Sequence, residues 1–423
     1  MASKSAQDSG SPATKRFEFF LSPYSVSAAF LFVQIGLVLL GLDGIFTPMG
    51  DIFYAYQPWA ERMLQTGHLL GLQEPWVYPF PNLIFVLMPA LAKGDYQAAW
   101  LVISGVFSAF AFGLLLTTRK ISHRLRVKAA WAWIAVIALL GPVSVSRLDT
   151  PSIALAIIGV VFWIQLRVRM AAALISMAMW LKVWPVALLV AAATSIGRAR
   201  AVLVAALTSA TLVLAIGYLV GGRPANLLSF VTEQSSRGIQ IESPWALFWL
   251  WAGLFNGGKS GSYFDGPLQT FQVFGPYTVL FANLLGPVMY LALGITAFLG
   301  YRASKAQSLF GGAHGVFAWT SLTAVLDLIV FNKVGSPQYY GWLMVPLIAG
   351  ILGDVWKNRV IPIALFSLAL LTGIIYPYIY DSILSSQPWA LAVLSLRDVC
   401  AVALLIYCNK QLSALADTQA LAV

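Results

Sequence analysis

Cysteine, histidine and charge are all scarce in this chain. Two cysteines, three histidines and 16 carboxylates are spread over 423 residues, and charged residues make up only 10%. Cys400 and Cys408 fall near one end of an apolar run and match no metal-ligand spacing, which excludes a disulfide framework. His68, His123 and His314 are too scattered to form a metal site, so no transition metal and no other cofactor is expected. The low charge and a hydrophobic fraction of 59% exclude an ordinary soluble protein. The apolar runs are apolar on every face and long enough to cross a bilayer as helices, without the alternation of spanning strands. The fold class is therefore an all-α polytopic membrane protein. The net charge of +10 does not indicate nucleic acid, because most basic residues lie in short loops between apolar runs, where insertion bias accounts for them.

Charge bias in the loops yields a threading of roughly 12 membrane segments. Residues 1–23 form a cytoplasmic tail with Lys4, Lys15 and Arg16. Residues 24–407 form a single membrane domain, and residues 408–423 form a cytoplasmic carboxyl-terminal tail. The first span, Tyr24 to Leu42, is too long for a signal peptide and has no small-residue cleavage site. Two large extracytoplasmic loops are expected, at 43–98 and 221–275. Within the first, Tyr78 to Leu91 is too short for a full crossing and reads as a half-length or re-entrant helix. Met170 to Ile196 is too long for one span, and Lys182 and Pro185 in its middle predict a hairpin of two short helices. Trp245 to Phe255 is aromatic enough to lie in the membrane interface. The last span is expected over Trp389 to Tyr407.

Under this threading Asp51, Arg147, Asp149, Lys182, Arg237, Glu242 and Lys333 converge on the outer face. Outer cations run against the insertion bias and ionisable groups at membrane depth are costly, so these residues are the candidates for function. One well-placed carboxylate with several cations suits transfer of a sugar from a lipid phosphate. The carboxylate takes the acceptor's proton and the cations stabilise the departing phosphate. Plainer roles exist for each: Asp51 as a helix cap, Arg147 and Asp149 as a mutual ion pair, Lys182 as a snorkelling side chain, and Trp245, Trp249 and Trp251 as interface anchors.

The acid at Asp51 after the first span, WVYPFPNLIFVLMPAL from Trp76, LKVWP around Lys182 and NKVGSPQYYGW from Asn332 occur in an order that resembles glycosyltransferase family 87 of the GT-C superfamily. Phe80 stands where that family often has a second proline, and Gln338 and Tyr339 stand where some relatives have a histidine-containing motif. The resemblance implies a GT-C fold and an inverting transferase. This enzyme would move mannose from polyprenyl-phosphate mannose to a glycolipid or lipoglycan acceptor on the outer side of the plasma membrane, in an actinobacterial envelope. In that scheme Asp51 is the catalytic base, and Lys182, Arg237, Lys333 and Arg147 bind the donor phosphate. Tyr78, Asp149, Gln240, Glu242, Gln338 and Tyr339 line the sugar and acceptor sites. An arabinofuranosyltransferase using a decaprenyl-phosphate donor and a lipid or sugar transporter are the alternatives. The long outer loops and the lack of a visible repeat count against the transporter.

Overall fold

The computed structural model describes residues 21–42, 48–92, 94–195, 197–235, 237–266, 268–306 and 312–417. The basic residues of the amino-terminal tail lie outside the described residues, as does the end of the carboxyl-terminal tail. The described residues are all-α apart from one hairpin. The first half carries α1 (Pro23–Leu42), α2 (Gln57–Thr66), α3 (Leu83–Leu91), α4 (Tyr96–Thr117), α5 (His123–Leu140), α6 (Asp149–Ile164), α7 (Val168–Leu181), α8 (Val186–Ser195) and α9 (Ala199–Leu219). In the second half α10 (Leu247–Gly253) precedes the strands β1 (Gly261–Asp265) and β2 (Thr270–Phe274). Then follow α11 (Thr278–Lys305), α12 (Gly312–Val330), α13 (Met344–Leu352), α14 (Val360–Gly373) and α15 (Pro388–Asp417).

Among the described residues, eight helical stretches are long and apolar enough to cross a membrane: α1, α4, α5 continued to Ser144, α9, α11, α12, α14 continued to Tyr378, and α15. The protein is thus a polytopic membrane protein. The segments of the threading each have a counterpart, either in these eight or in five apolar helical stretches too short for a full crossing, at Phe80–Leu91, Asp149–Ile164, Val168–Leu181, Val186–Ser195 and Tyr339–Leu352. The reason lies in what surrounds the short helices. Nearly every residue of α6 is buried, so its length is set by neighbouring helices rather than by the bilayer. Its Gly159 lets α7 approach closely; a Cβ there would sit 2.6 Å from Ile175, the close small-residue packing that membrane helices use.

The break expected between Met170 and Ile196 is present, with α7 ending at Leu181 and α8 starting at Val186. Proline at position 185 lacks the N–H that a continuing helix would require. The last helix departs from expectation: α15 continues to Asp417, through the boundary placed at Tyr407, because Leu412 and Ala416 are buried against Ala303 and Val316. The hairpin was not foreseen. β1 and β2 pair antiparallel from Gly261↔Phe274 to Asp265↔Thr270. Ile239 and Ile241 bond alongside β2, through Val273 N–H to Ile239 O (2.9 Å) and Ile241 N–H to Phe271 O (3.1 Å). These residues share a second apolar core with Trp249, Leu285, Ile375 and Leu391, seating the 221–275 loop on the ends of α11, α14 and α15.

The helices differ sharply in environment. Of its most apolar stretch, α12 buries 83% and α11 only 11%, so α12 is central and α11 faces lipid along most of its length.

Candidate functional site

Arg147 and Leu148 lie in the turn before α6 and Asp149 opens that helix; Leu148 has helical angles (φ −60°, ψ −8°), so side chains two residues apart point in roughly opposite directions. The two charges do not pair with each other. Arg147 forms a salt bridge with Asp51, donates from Nη2 to the Tyr376 hydroxyl (3.2 Å) and packs over that ring. Asp149, 2% exposed, accepts from Lys182 Nζ (3.1 Å) on Oδ2 and from Trp342 Nε1 (2.7 Å) on Oδ1. Between them the Leu148 N–H donates to the Tyr56 hydroxyl (3.3 Å), tying the turn to the helix that follows Asp51. Burial disfavours the charge of both cations, yet Asp51 and Tyr376 around Arg147, and Asp149, Tyr78 and Tyr339 around Lys182, raise both above their ordinary values. Both therefore stay protonated. Burial, then the Asp51 charge, pushes the Tyr56 hydroxyl well up, so it remains a neutral link.

Asp51 does not act as a side-chain cap: it has helical backbone angles and makes no side-chain capping bond to the turn after it. Its carboxylate is 42% exposed, whereas Asp149, Glu242 and Asp398 are almost fully buried. Of the carboxylates in this polar seam, Asp51 is the accessible one.

A cavity of about 420 Å³ opens beside this seam. Tyr78, Lys182, Lys333 and Tyr339 line its polar side together with Asn332, and Val183, Phe230, Met289 and Tyr290 contribute to an apolar wall. Lys182 Nζ lies 4.4 Å from the Tyr78 ring centroid. Tyr339 stacks on Trp342 (centroids 4.0 Å apart), which stacks in turn on Trp184 (5.6 Å), so the Asp149–Trp342 bond also holds an aromatic wall upright. Burial lowers the Lys333 ammonium from its usual value. An anion in the cavity would offset that cost.

The remaining expected residues are placed differently. Gln240 donates its N–H to the Lys333 carbonyl (2.9 Å). With its amide turned to satisfy both neighbours, it donates to Gly335 O (2.8 Å) and accepts from Arg237 (3.2 Å). Gln338 accepts from the Ser336 hydroxyl (2.9 Å) and lines a small separate pocket with Asp149. Glu242, expected at a sugar site, is 4% exposed, and its carboxylate accepts from Arg397 (2.9 Å). Arg147, expected on phosphate, is likewise engaged by Asp51 and Tyr376, outside the cavity lining.

Sequence reasoning missed Arg397, Asp398, Tyr340 and Tyr376. Arg397, 0% exposed, bonds the Glu242 carboxylate and carbonyl (2.9 and 3.0 Å) and Asp398 (2.9 Å), and the Tyr340 hydroxyl donates to Asp398 (3.2 Å). The available signal was an Arg-Asp pair inside an apolar run, which is costly unless compensated. Asp327, in the last turn of α12, was also missed; it accepts from the Thr296 hydroxyl (2.6 Å).

The backbone of 239–243 is stapled to 332–335, where Ser243 Oγ also donates to Asn332 O (2.8 Å). Gly335 makes this contact possible: a Cβ there would lie 2.1 Å from Ser243 N. Gly335→Ala should force the two segments apart at a cost of about 1–3 kcal/mol, read as a lower unfolding midpoint in lipid nanodiscs. A midpoint within error of wild type would mean that the strands separate freely. No family model and no curated protein matches this chain.

Proposed function

We propose that the protein is a GT-C-type membrane glycosyltransferase similar to family 87, which transfers a sugar, in the first instance mannose, from a polyprenyl phosphate to a glycolipid or lipoglycan acceptor at the extracytoplasmic face. One observation carries the reading: Lys182 and Lys333 line a cavity whose remaining wall is largely apolar and includes lipid-facing α11. Its volume lies within the range of small-molecule sites, roughly 300–1,000 Å³. Two ammonium groups on a polar side with Tyr78, Tyr339 and Asn332, facing a largely apolar wall, match a lipid with a phosphate headgroup.

In this reading Asp51, which lies outside the cavity lining and is paired with Arg147, takes the proton of an acceptor hydroxyl that reaches the cavity from the Asp51 side, while that oxygen attacks the anomeric carbon. The bond from carbon to phosphate oxygen breaks, and its electron pair leaves with the phosphate, whose growing charge Lys182 and Lys333 meet. Attack in line inverts the anomeric centre, so a β-linked donor yields an α-linked product. Arg147 and Tyr376 aim the Asp51 carboxylate, and Asp149 aims Lys182. Arg237 is held beside Lys333 through Gln240.

The test is sugar transfer from polyprenyl-phosphate mannose by purified protein in nanodiscs. Asp51→Asn leaves the buried Arg147 with only the Tyr376 hydroxyl and should melt lower than wild type; in its folded fraction kcat should fall about 10²–10⁴-fold. Lys333→Ala should chiefly raise the KM for the donor. Transfer undiminished in Asp51→Asn would place the base elsewhere, and absence of transfer from both mannosyl and arabinosyl donors would sink the enzyme reading.

A further inference from the structure

The lipid-facing surface of α11 does not stop at its amino-terminal end. Trp249 of α10, 1% exposed, donates from Nε1 to the Pro276 carbonyl (2.9 Å) and packs edge-on against Phe281 (5.6 Å), locking α10 onto the first turn of α11. Around this joint large apolar side chains point outward: Phe248 is 70% exposed, Phe255 84%, Phe264 51% and Tyr277 74%. Val279, in the first turn of the span itself, is 73% exposed.

From Ser243 to Phe281 the only ionisable acids or bases are Lys259 and Asp265. Asp265 is turned inward, accepting from Gln272 Nε2 (3.0 Å) and from the Leu268 N–H (3.1 Å). Lys259 is exposed. The collar thus presents aromatic rings and one cation, on a surface continuous with a helix that already faces lipid. A water-exposed face of that composition would be costly, whereas the headgroup region takes aromatic rings and a lysine readily.

We propose that α10 and the β1–β2 hairpin form a collar that beds into the lipid headgroup region around the start of α11. The collar's contact with lipid fixes the depth of the cavity. Asn283 and Tyr290 of its lining follow Tyr277 along α11, and at about 1.5 Å rise per residue they lie roughly 9–20 Å farther along the helix axis. A Tyr277 held at the headgroups therefore places the α11 wall of the cavity in the hydrocarbon, within or just beyond one leaflet's half of a core roughly 30 Å thick. The inference goes beyond the proposed activity and does not depend on it.

The experiment uses environment-sensitive fluorophores on single cysteines at Phe248, Phe255 and Val279, with Gln65 of α2 as the exposed reference. Cys400 and Cys408 are replaced by alanine and the full chain is placed in nanodiscs. Only variants that keep the wild-type melting profile are read, and Val279 supplies a site in the span itself should a collar variant fail to fold. Shallow nitroxide-bearing lipids are expected to quench the Phe248 and Phe255 labels severalfold more than the Gln65 label, and aqueous iodide less. Collar labels that iodide quenches as fully as the reference, with no quenching from lipid, would overturn the proposal. So would shielding from iodide that depends on protein concentration or on added oligosaccharide rather than on lipid, since the collar would then face a second copy or a glycan.

Discussion

Arg397→Leu is expected to lower the stability of the protein by about 3–5 kcal/mol, the cost of removing one partner from a buried ion cluster. Arg397 is the cation closest to the Glu242 and Asp398 carboxylates, bonding both at 2.9 Å, and all three side chains are almost fully buried. Burial already pushes the Glu242 carboxyl up from its ordinary value, with Arg397 opposing it. The loss of Arg397 removes that opposition and also the bond to the Glu242 carbonyl, so the 239–243 segment should detach from α15. Thermal unfolding in nanodiscs measures the first effect, and protease cleavage within 236–243 measures the second. Arg397→Leu combined with Glu242→Gln should recover part of the loss, because one uncompensated carboxylate is gone. A single-variant loss below about 1 kcal/mol would show that water reaches the cluster and replaces the guanidinium.

Asp149→Ala should be comparably severe, again about 3–5 kcal/mol, and should act on the candidate site as well. It strips Lys182, 13% exposed, of its carboxylate and leaves the Trp342 indole N–H without its acceptor. Lys182 would then either deprotonate or swing away from Tyr78, and the Tyr339–Trp342–Trp184 stack would lose its anchor. Asp149→Asn retains an acceptor for Trp342 but removes the charge, so it should melt between wild type and Asp149→Ala. Under the proposed function its donor KM should rise with the Lys182 defect. Equal melting of the Asn and Ala variants would mean that the charge, not the indole bond, carries the stabilisation.

Much of the candidate site was legible because charge is rare in this chain. With 16 carboxylates in 423 residues, an acid or base beside an apolar run stands out. Asp51, Arg147, Asp149 and Lys182 were found on that ground, and they do lie in one seam joined by the 147–149 turn. Their partners were not legible. Arg147 and Asp149 are two residues apart and look like a mutual pair, yet each reaches a different segment. Glu242 resembled a ligand-binding residue until its partner 155 positions away appeared inside α15. Helix environment shows the same limit: Ile153 to Leu166 reads as an apolar segment, but only the structure shows that the helix it belongs to, α6, is buried along nearly its whole length.

The sequence by itself determined the solvent and the helical class. Runs of apolar residues without alternation can satisfy their backbone hydrogen bonds in lipid only as helices, whatever surrounds them. It also marked the break between α7 and α8, where Pro185 lacks the N–H that a continuing helix would use, although α11 runs through Pro287 unbroken. The tertiary structure alone decided which carboxylate stays accessible, which cations face the cavity and which charges hold the 239–243 segment to α15. Those outcomes depend on distances between segments far apart in the chain, and the strength of each ion pair depends on how much water the surrounding helices exclude.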